Sequence, residues 1–228
     1  MTLYAFICTR TTEFSSVTND LVSYLSRVGV NVKLLVNQDS IFEGYKKAVE
    51  KIQPDPSDII ILCHDDIKIN ASPSDFLTIL SILKNDKYGF IGPAGTTRLN
   101  SNGVWWDSEN WQKGYHKGEI YHVNPNNSIY KTHYGPFGQV VVLDGVFLAC
   151  RAELLNKIPI DKPSHFVGNW DFYDIYYTYE AHKLNYENHT VPINMIHMSR
   201  GELVGRDSWH ENRKAFIEDN RKEFPLTC

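Results

Sequence analysis

The sequence has no CxxC pair, GxGxxG, Walker loop, GxSxG or HExxH. These absences exclude the simplest zinc-ribbon, dinucleotide, P-loop, serine-hydrolase and zincin readings. Long hydrophobic runs are missing too. The longest, VVVLDGVFLAC, is too short to span a bilayer and carries Asp144 in its middle. The opening MTLYAFICTRTT lacks a basic stretch, a long apolar run and a small-residue cleavage site, so no secretory signal is expected. Charge of one sign is not in excess: 23 basic and 27 acidic residues leave a net charge of -4. That balance gives no global case for nucleic acid or anionic membrane and leaves a local basic groove open. Four scattered cysteines, Cys8, Cys63, Cys150 and Cys228, three of them in apolar runs, read as free thiols in a reducing cytoplasm.

What is present is an ordinary globular composition, 42% hydrophobic and 22% charged over 228 residues, ample for a full core. With no repeat, low-complexity tract or flexible linker, a single domain over 1–228 is expected. Its first ~95 residues alternate strand and helix patterns. LYAFICT, NVKLLVN, DIIILCHDD and YGFIG read as strands. Between them lie three helical stretches: Phe14, Val17, Leu21, Leu25 and Val28 at helical spacing before Gly29; SIFEGYKKAVEKI with Ser40 as cap; and SPSDFLTILSILKND with a Ser cap and Pro in the first turn. This order predicts a parallel, Rossmann-like sheet whose ligands sit beyond the carboxyl ends of its strands. Residues 100–134 show little periodicity and many aromatics, which suggests a functional loop. VVVLDGVFLAC reads as a strand interrupted at Asp144-Gly145, NWDFYDIYYTYEAHKLN and the tail as helices, and TVPINMIHMSRGE as a strand running into a loop.

Three clusters could carry chemistry. His64-Asp65-Asp66 ends an apolar strand, and its adjacent carboxylates repel unless a cation or donors compensate. A divalent cation resolves this, since such ions take one or two carboxylates alongside substrate phosphates; a turn or capping pair is the other reading. Asp171 and Asp174 would share one helix face at their spacing, so one could act as a general base, or both could simply favour a helix N-terminus. His197 ends an apolar strand as either a metal ligand or a hydrogen-bonded core histidine.

The ordered series SIFEGYKKAVEK, DIIILCHDDI, YGFIGPAGT, VVVLDGVFLACR, FYDIYYTYEAHKL and IHMSRGE resembles the family-2-type glycosyltransferases of GT-A fold. It is most similar to the bacterial and phage glycosyltransferase-like branch, in which an HDD triplet stands for the DxD motif. The likeness covers roughly 1–202, and the NR-x-x-F of ENRKAF is also similar. It implies an α/β GT-A fold with a mixed central sheet flanked by helices, residues 1–98 binding the nucleotide sugar and 99–228 the acceptor. Asp66 and His197 would bind Mn²⁺ or Mg²⁺ at the diphosphate of a nucleotide-sugar donor, most naturally a UDP-sugar. Asp65 would support the ribose or the metal's waters, and His64 would belong to the same donor-binding set. Thr9, Arg10, Thr11, Asn37, Gln38 and Tyr45 would hold base and ribose, and Asp144 with Gly145 would line the donor sugar and acceptor. Asp174 aligns with the catalytic base, with Asp171 its competitor because the usual Glu-Asp pair reads Tyr173-Asp174. His64 replaces a commoner acidic residue.

The implied activity is a metal-dependent, inverting hexosyl- or pentosyltransferase working in the cytoplasm (a host's, if phage-encoded) on a glycan or lipid-linked sugar. A modified base in DNA is the alternative acceptor, favoured if Arg98, Lys113, Lys117 and Lys131 join into a groove. A nucleotide-binding protein without transfer is the third reading. Trp105, Trp106, Trp111, Tyr115, Tyr121 and Tyr130 would form an acceptor platform or lid, with about half of them packing the core instead. His116, His122 and His133 match no compact metal spacing.

Overall fold

The computed structural model describes residues 1–9, 12–124, 126–198 and 207–228. In chain order, the first part runs β1 (Leu3–Thr9), α1 (Ser16–Arg27), β2 (Val30–Val36), α2 (Ile41–Ile52), β3 (Ile59–Cys63), β4 (Ile67–Ile69), α3 (Pro73–Leu80), β5 (Tyr88–Gly92), β6 (Ala94–Thr96) and β7 (Arg98–Leu99). There follow α4 (Ser108–Gln112), β8 (His116–Val123), β9 (Ile129–Gly135), β10 (Gln139–Val140), β11 (Val142–Leu143), β12 (Phe147–Arg151) and α5 (Ala152–Leu155). The last part is α6 (Tyr173–Lys183), β13 (Glu187–Thr190), β14 (Met195–His197), α7 (Asp207–Asp219) and β15 (Leu226–Thr227).

Among the described residues, the main sheet runs β10-β13-β5-β12-β3-β1-β2. As expected, β1 pairs in parallel with β2 and β3. Alternate residues of these strands face opposite layers. Phe6, Ile60 and Leu62 pack with Phe42 and Tyr45 of α2, while Ala5, Ile7, Ile59 and Ile61 pack with Leu21 and Leu25 of α1 and Phe76 of α3. Ser15 and Ser72 cap α1 and α3 by accepting from the Thr18 and Asp75 amides. Ser40, the expected cap of α2, instead donates its hydroxyl to the Asn169 carbonyl at 3.1 Å, tying the helix start to the segment before α6.

The simple parallel expectation fails beside β3. The next strand of this sheet in sequence order, β5, does not pair with it; β12 inserts antiparallel between them, with Phe147 opposite Cys63. A strand running the other way begins at the edge where β3 ends, so Asp144-Gly145 and His64–Asp66 meet there. A second sheet, β11-β6-β8-β14-β4 with β9 beside β8, adjoins this edge. It also corrects the reading of residues 100–134 as irregular, because their second part is the β8–β9 hairpin.

Candidate active site

The triplet forms the turn between β3 and β4, and its two carboxylates part there. Asp65 acts on the buried Cys8 and Cys63, helping burial push the Cys8 thiol up to about 12. Asp66 lies on the other side, where Oδ1 is 3.4 Å from Nε2 of His197 and 3.8 Å from Nδ1 of His64. His64, Asp66 and His197 each offer one ligand atom, all within 4.8 Å of one another. β14 pairs with β4 so that His197 stands opposite Ile67, next in sequence to Asp66.

His64 is oriented from behind. Its Nε2 is 3.2 Å from the Tyr173 hydroxyl, and that hydroxyl donates to the Gly145 carbonyl at 2.7 Å. With its proton committed to Gly145, the hydroxyl accepts from His64, so Nε2 carries the imidazole proton. The Nδ1 lone pair is then left on the Asp66 side, the protonation state a metal ligand needs. Burial and the neighbouring His197 ring pull the His64 pKa down, favouring the neutral ring. With the side chain still 37% exposed, that pull is weaker than in a closed site. Burial also pulls His197 down, but the hydrogen bond and charge of Asp66, with Asp144 behind, outweigh it and raise the ring above its ordinary value. Two imidazoles and one carboxylate converging this closely fit a divalent transition metal. An oxygen-loving ion such as Mg²⁺ fits less well.

Across the Gly145 turn stands Asp174, whose Oδ2 accepts from the Gly145 amide at 2.9 Å. A Cβ on Gly145 would lie 2.6 Å from the Tyr173 hydroxyl oxygen and 2.8 Å from the Asp174 Cβ, so no other residue fits without displacing both. Burial first, and then the charge of Asp144, raises the Asp174 carboxyl to about 7. A carboxyl poised there can take a proton near neutral pH.

Asp171 does not share a helix face with Asp174, contrary to expectation. α6 begins only at Tyr173, after Phe172 turns through a left-handed conformation (φ 71°). That conformation costs about 1–2 kcal/mol, offset by burial of the Phe172 ring against Phe166, Trp209 and Phe216. Asp171 is buried and accepts from the Ser208 hydroxyl at 2.6 Å, while its carbonyl accepts from Asn212 on α7. Of the residues expected around base and ribose, Thr9 ends β1, its carbonyl accepting from the Asn37 amide at 3.1 Å. Asn37 is exposed, and Gln38 donates to the Val36 carbonyl. Tyr45 is a core ring, 2% exposed and 6.0 Å from Tyr173, which removes it from any ligand surface. Arg10 and Thr11 lie outside the described residues.

The model of the glycosyltransferase-like family matches residues 20–220. The chain belongs to that family. Among solved structures, this glycosyltransferase-like chain is similar to GalNAc-T7 with UDP, GalNAc and Mn²⁺, at TM-score 0.53 and 11% identity over 96% of this chain and 48% of that one. It thus spans about half the length of that structure. A protein from STIV (TM-score 0.47, 14% identity, 84% and 82% covered) and a CMP:2-keto-3-deoxy-manno-octonic acid synthetase complexed with CTP (0.42, 11%, 96% and 100%) are also similar. The likeness to GalNAc-T7, at 11% identity, speaks for the fold alone, a mixed α/β GT-A architecture. The search of curated proteins returned no significant match.

Sequence reasoning passed over two residues of this glycosyltransferase-like site. Tyr173 orients His64, a role without a sequence signal beyond its place beside Asp174. His122 faces His197 across the β8–β14 pairing, ring centroids 6.1 Å apart, and stacks on Tyr130 at 5.3 Å. The alternation in GEIYHV could have shown that strand. The aromatic segment divides as expected in part: Trp105 is buried, whereas Trp106, Trp111 and Tyr130 are exposed.

Proposed function

We propose that this protein is a metal-dependent, inverting glycosyltransferase moving a sugar from a UDP-sugar to a hydroxyl of a glycan. The observation that carries the reading is the convergence of His64, Asp66 and His197, within 4.8 Å, one turn away from a carboxyl raised to about 7, in a chain of this family. A divalent cation held there, Mn²⁺ in preference to Mg²⁺, would neutralise charge on the departing diphosphate. The residues do the rest. Asp174 accepts the proton of the acceptor hydroxyl as its oxygen bonds to the anomeric carbon, and the bond from that carbon to the diphosphate breaks, releasing UDP. Gly145 and Tyr173 hold Asp174 and His64 in register. Attack opposite the leaving group inverts the anomeric centre. Asp171, buried against Ser208, serves to position the start of α6.

A glycan acceptor is favoured over DNA because three of the four residues that would form a basic groove, Arg98, Lys113 and Lys131, are engaged. Lys113 pairs with Glu109 at 2.6 Å, Lys131 pairs with Glu119 at 3.1 Å, and Arg98 lies over Tyr115. No described helix is long and apolar enough to cross a membrane, and the four free cysteines suit a reducing cytoplasm. The test follows nucleotide release from a panel of nucleotide sugars, with Mn²⁺, Mg²⁺ or EDTA. UDP release that requires metal and nearly disappears in Asp66→Asn is expected. Turnover that survives both EDTA and this substitution would overturn the metal assignment, and a wild type that turns over no donor at all would favour the binding-protein reading.

A further inference from the structure

The β8–β9 hairpin presents two chemically distinct faces. One carries Lys131 and His133, both on Glu119, with the Lys131 ammonium also over the Tyr121 ring. The register, with His122 opposite Tyr130 and Ile120 opposite Thr132, puts His122, Tyr130, Thr132 and, past the bulge, Tyr134 on the other face. This second face meets the site. His122 abuts His197, and the charge of Asp144 reaches both His122 and Tyr134. Four steps of strand lead from Tyr130 to Tyr134, about 13 Å at the usual rise. Tyr134 continues the row into Trp111, ring centroids 5.6 Å apart, and Trp111 packs on His116 at 5.4 Å. His116 is itself fixed by the Trp105 carbonyl at 2.7 Å, so the far end rests on a rigid base. Tyr130 is 45% exposed and Trp111 51%, costly for rings that serve only packing.

We propose that this face is the acceptor subsite and takes a neutral oligosaccharide of two or more pyranose rings, stacked on Tyr130 with His122 beside the metal-ligand residues and on Trp111 with Tyr134 farther out. The inference rests on the glycosyltransferase reading above and names its acceptor class. Aromatic faces with polar edges suit sugar rings, which show C–H bonds on one face and hydroxyls at the rim. Alternation keeps the lysines of both strands on the opposite face, so a phosphodiester backbone would find no counter-charge here. A purely lipid acceptor would leave His122 and Thr132 without polar partners.

The experiment uses the intact protein with Mn²⁺ and UDP on an array of immobilised neutral and acidic glycans. A hydroxymethylcytosine-containing duplex serves as competitor, and UDP release without acceptor is followed in parallel. Wild type should bind neutral oligosaccharides, with tetrasaccharides held better than the monosaccharide. Trp111→Ala and Tyr130→Ala, both at exposed positions, should each weaken that binding at least tenfold while acceptor-free UDP release stays within twofold. Unchanged binding in both variants, no glycan bound by wild type, or displacement by the duplex would overturn the proposal. If glycan binding depends on Trp111 but no donor is turned over, the subsite stands and the transferase reading fails. If donors are turned over and no glycan binds, the reverse holds.

Discussion

Asp174→Asn separates the proposed catalytic role of one carboxyl from its structural role. The amide keeps the shape and an oxygen to accept from the Gly145 amide. It removes only the capacity to ionise. Asp174 is raised from 3.8 to about 7 by burial and by Asp144. A raised carboxyl means that the folded protein holds a proton the unfolded chain has released. The stability it lends is therefore complete below 3.8, falls as pH rises, and is gone once pH passes about 7. At about 1.4 kcal/mol per tenfold change in proton affinity, the full displacement is about 4 kcal/mol. Water reaching the half-buried carboxyl screens much of that, and about 1–2 kcal/mol is the working expectation. Urea unfolding in EDTA should then find Asp174→Asn more stable than wild type by about this amount at pH 8. The gap should shrink at pH 5, while turnover falls at least a hundredfold at both. A variant less stable than wild type at pH 8, or a gap independent of pH, would refute the electrostatic account of this site.

Three further substitutions test neighbouring claims. Tyr173→Phe removes the hydroxyl that holds His64, and Mn²⁺ affinity measured by calorimetry should fall roughly 10–100-fold; an unchanged affinity would mean that His64 is no ligand. His64→Asp exchanges an imidazole for an oxygen donor, so Mg²⁺ should gain on Mn²⁺ in supporting UDP release, and an unaltered ion preference would count against the mixed donor set. Asp171→Asn weakens the bond from Ser208 and should lower stability by about 1 kcal/mol with less than a tenfold loss of turnover. A loss matching that of Asp174→Asn would move the base to Asp171.

The first half of the fold is written locally. Each strand of β1 to β3 is a short apolar run, and α1 and α3 carry their own serine caps, so period and punctuation largely suffice there. The insertion of β12 is not local, because nothing in VVVLDGVFLAC says that it will enter antiparallel between β3 and β5. The hairpin in residues 100–134 was obscured by Gly, Asn and aromatic residues that weaken strand signals. The start of α6 was misplaced because Phe172 takes a left-handed turn that only its buried ring makes tolerable. Asp66 and His197 were legible as strand-end polar residues. Their meeting with His64 was not, since it depends on strand order in a sheet that sequence spacing does not encode.

The HDD triplet is anchored through its main chain as well as its side chains. The His64 amide donates to the Val146 carbonyl at 3.1 Å, the Asp65 carbonyl accepts from the Thr18 hydroxyl at 3.0 Å, and the Asp66 carbonyl accepts from the Met198 amide at 2.8 Å. Three consecutive backbone groups are thus tied to the start of β12, to α1 and to the end of β14. The turn is fixed by its main chain, which leaves the His64 and Asp66 side chains facing His197. Asp66 is 34% exposed and His197 12%, and an Asn at 66 keeps an oxygen that can accept from His197, so removing the charge costs about 1 kcal/mol. Asp66→Asn should therefore leave unfolding in EDTA within about 1 kcal/mol of wild type while abolishing the stabilisation expected when Mn²⁺ is added to wild type. A loss above about 2 kcal/mol without metal would show that the carboxylate, and not the backbone, builds the turn.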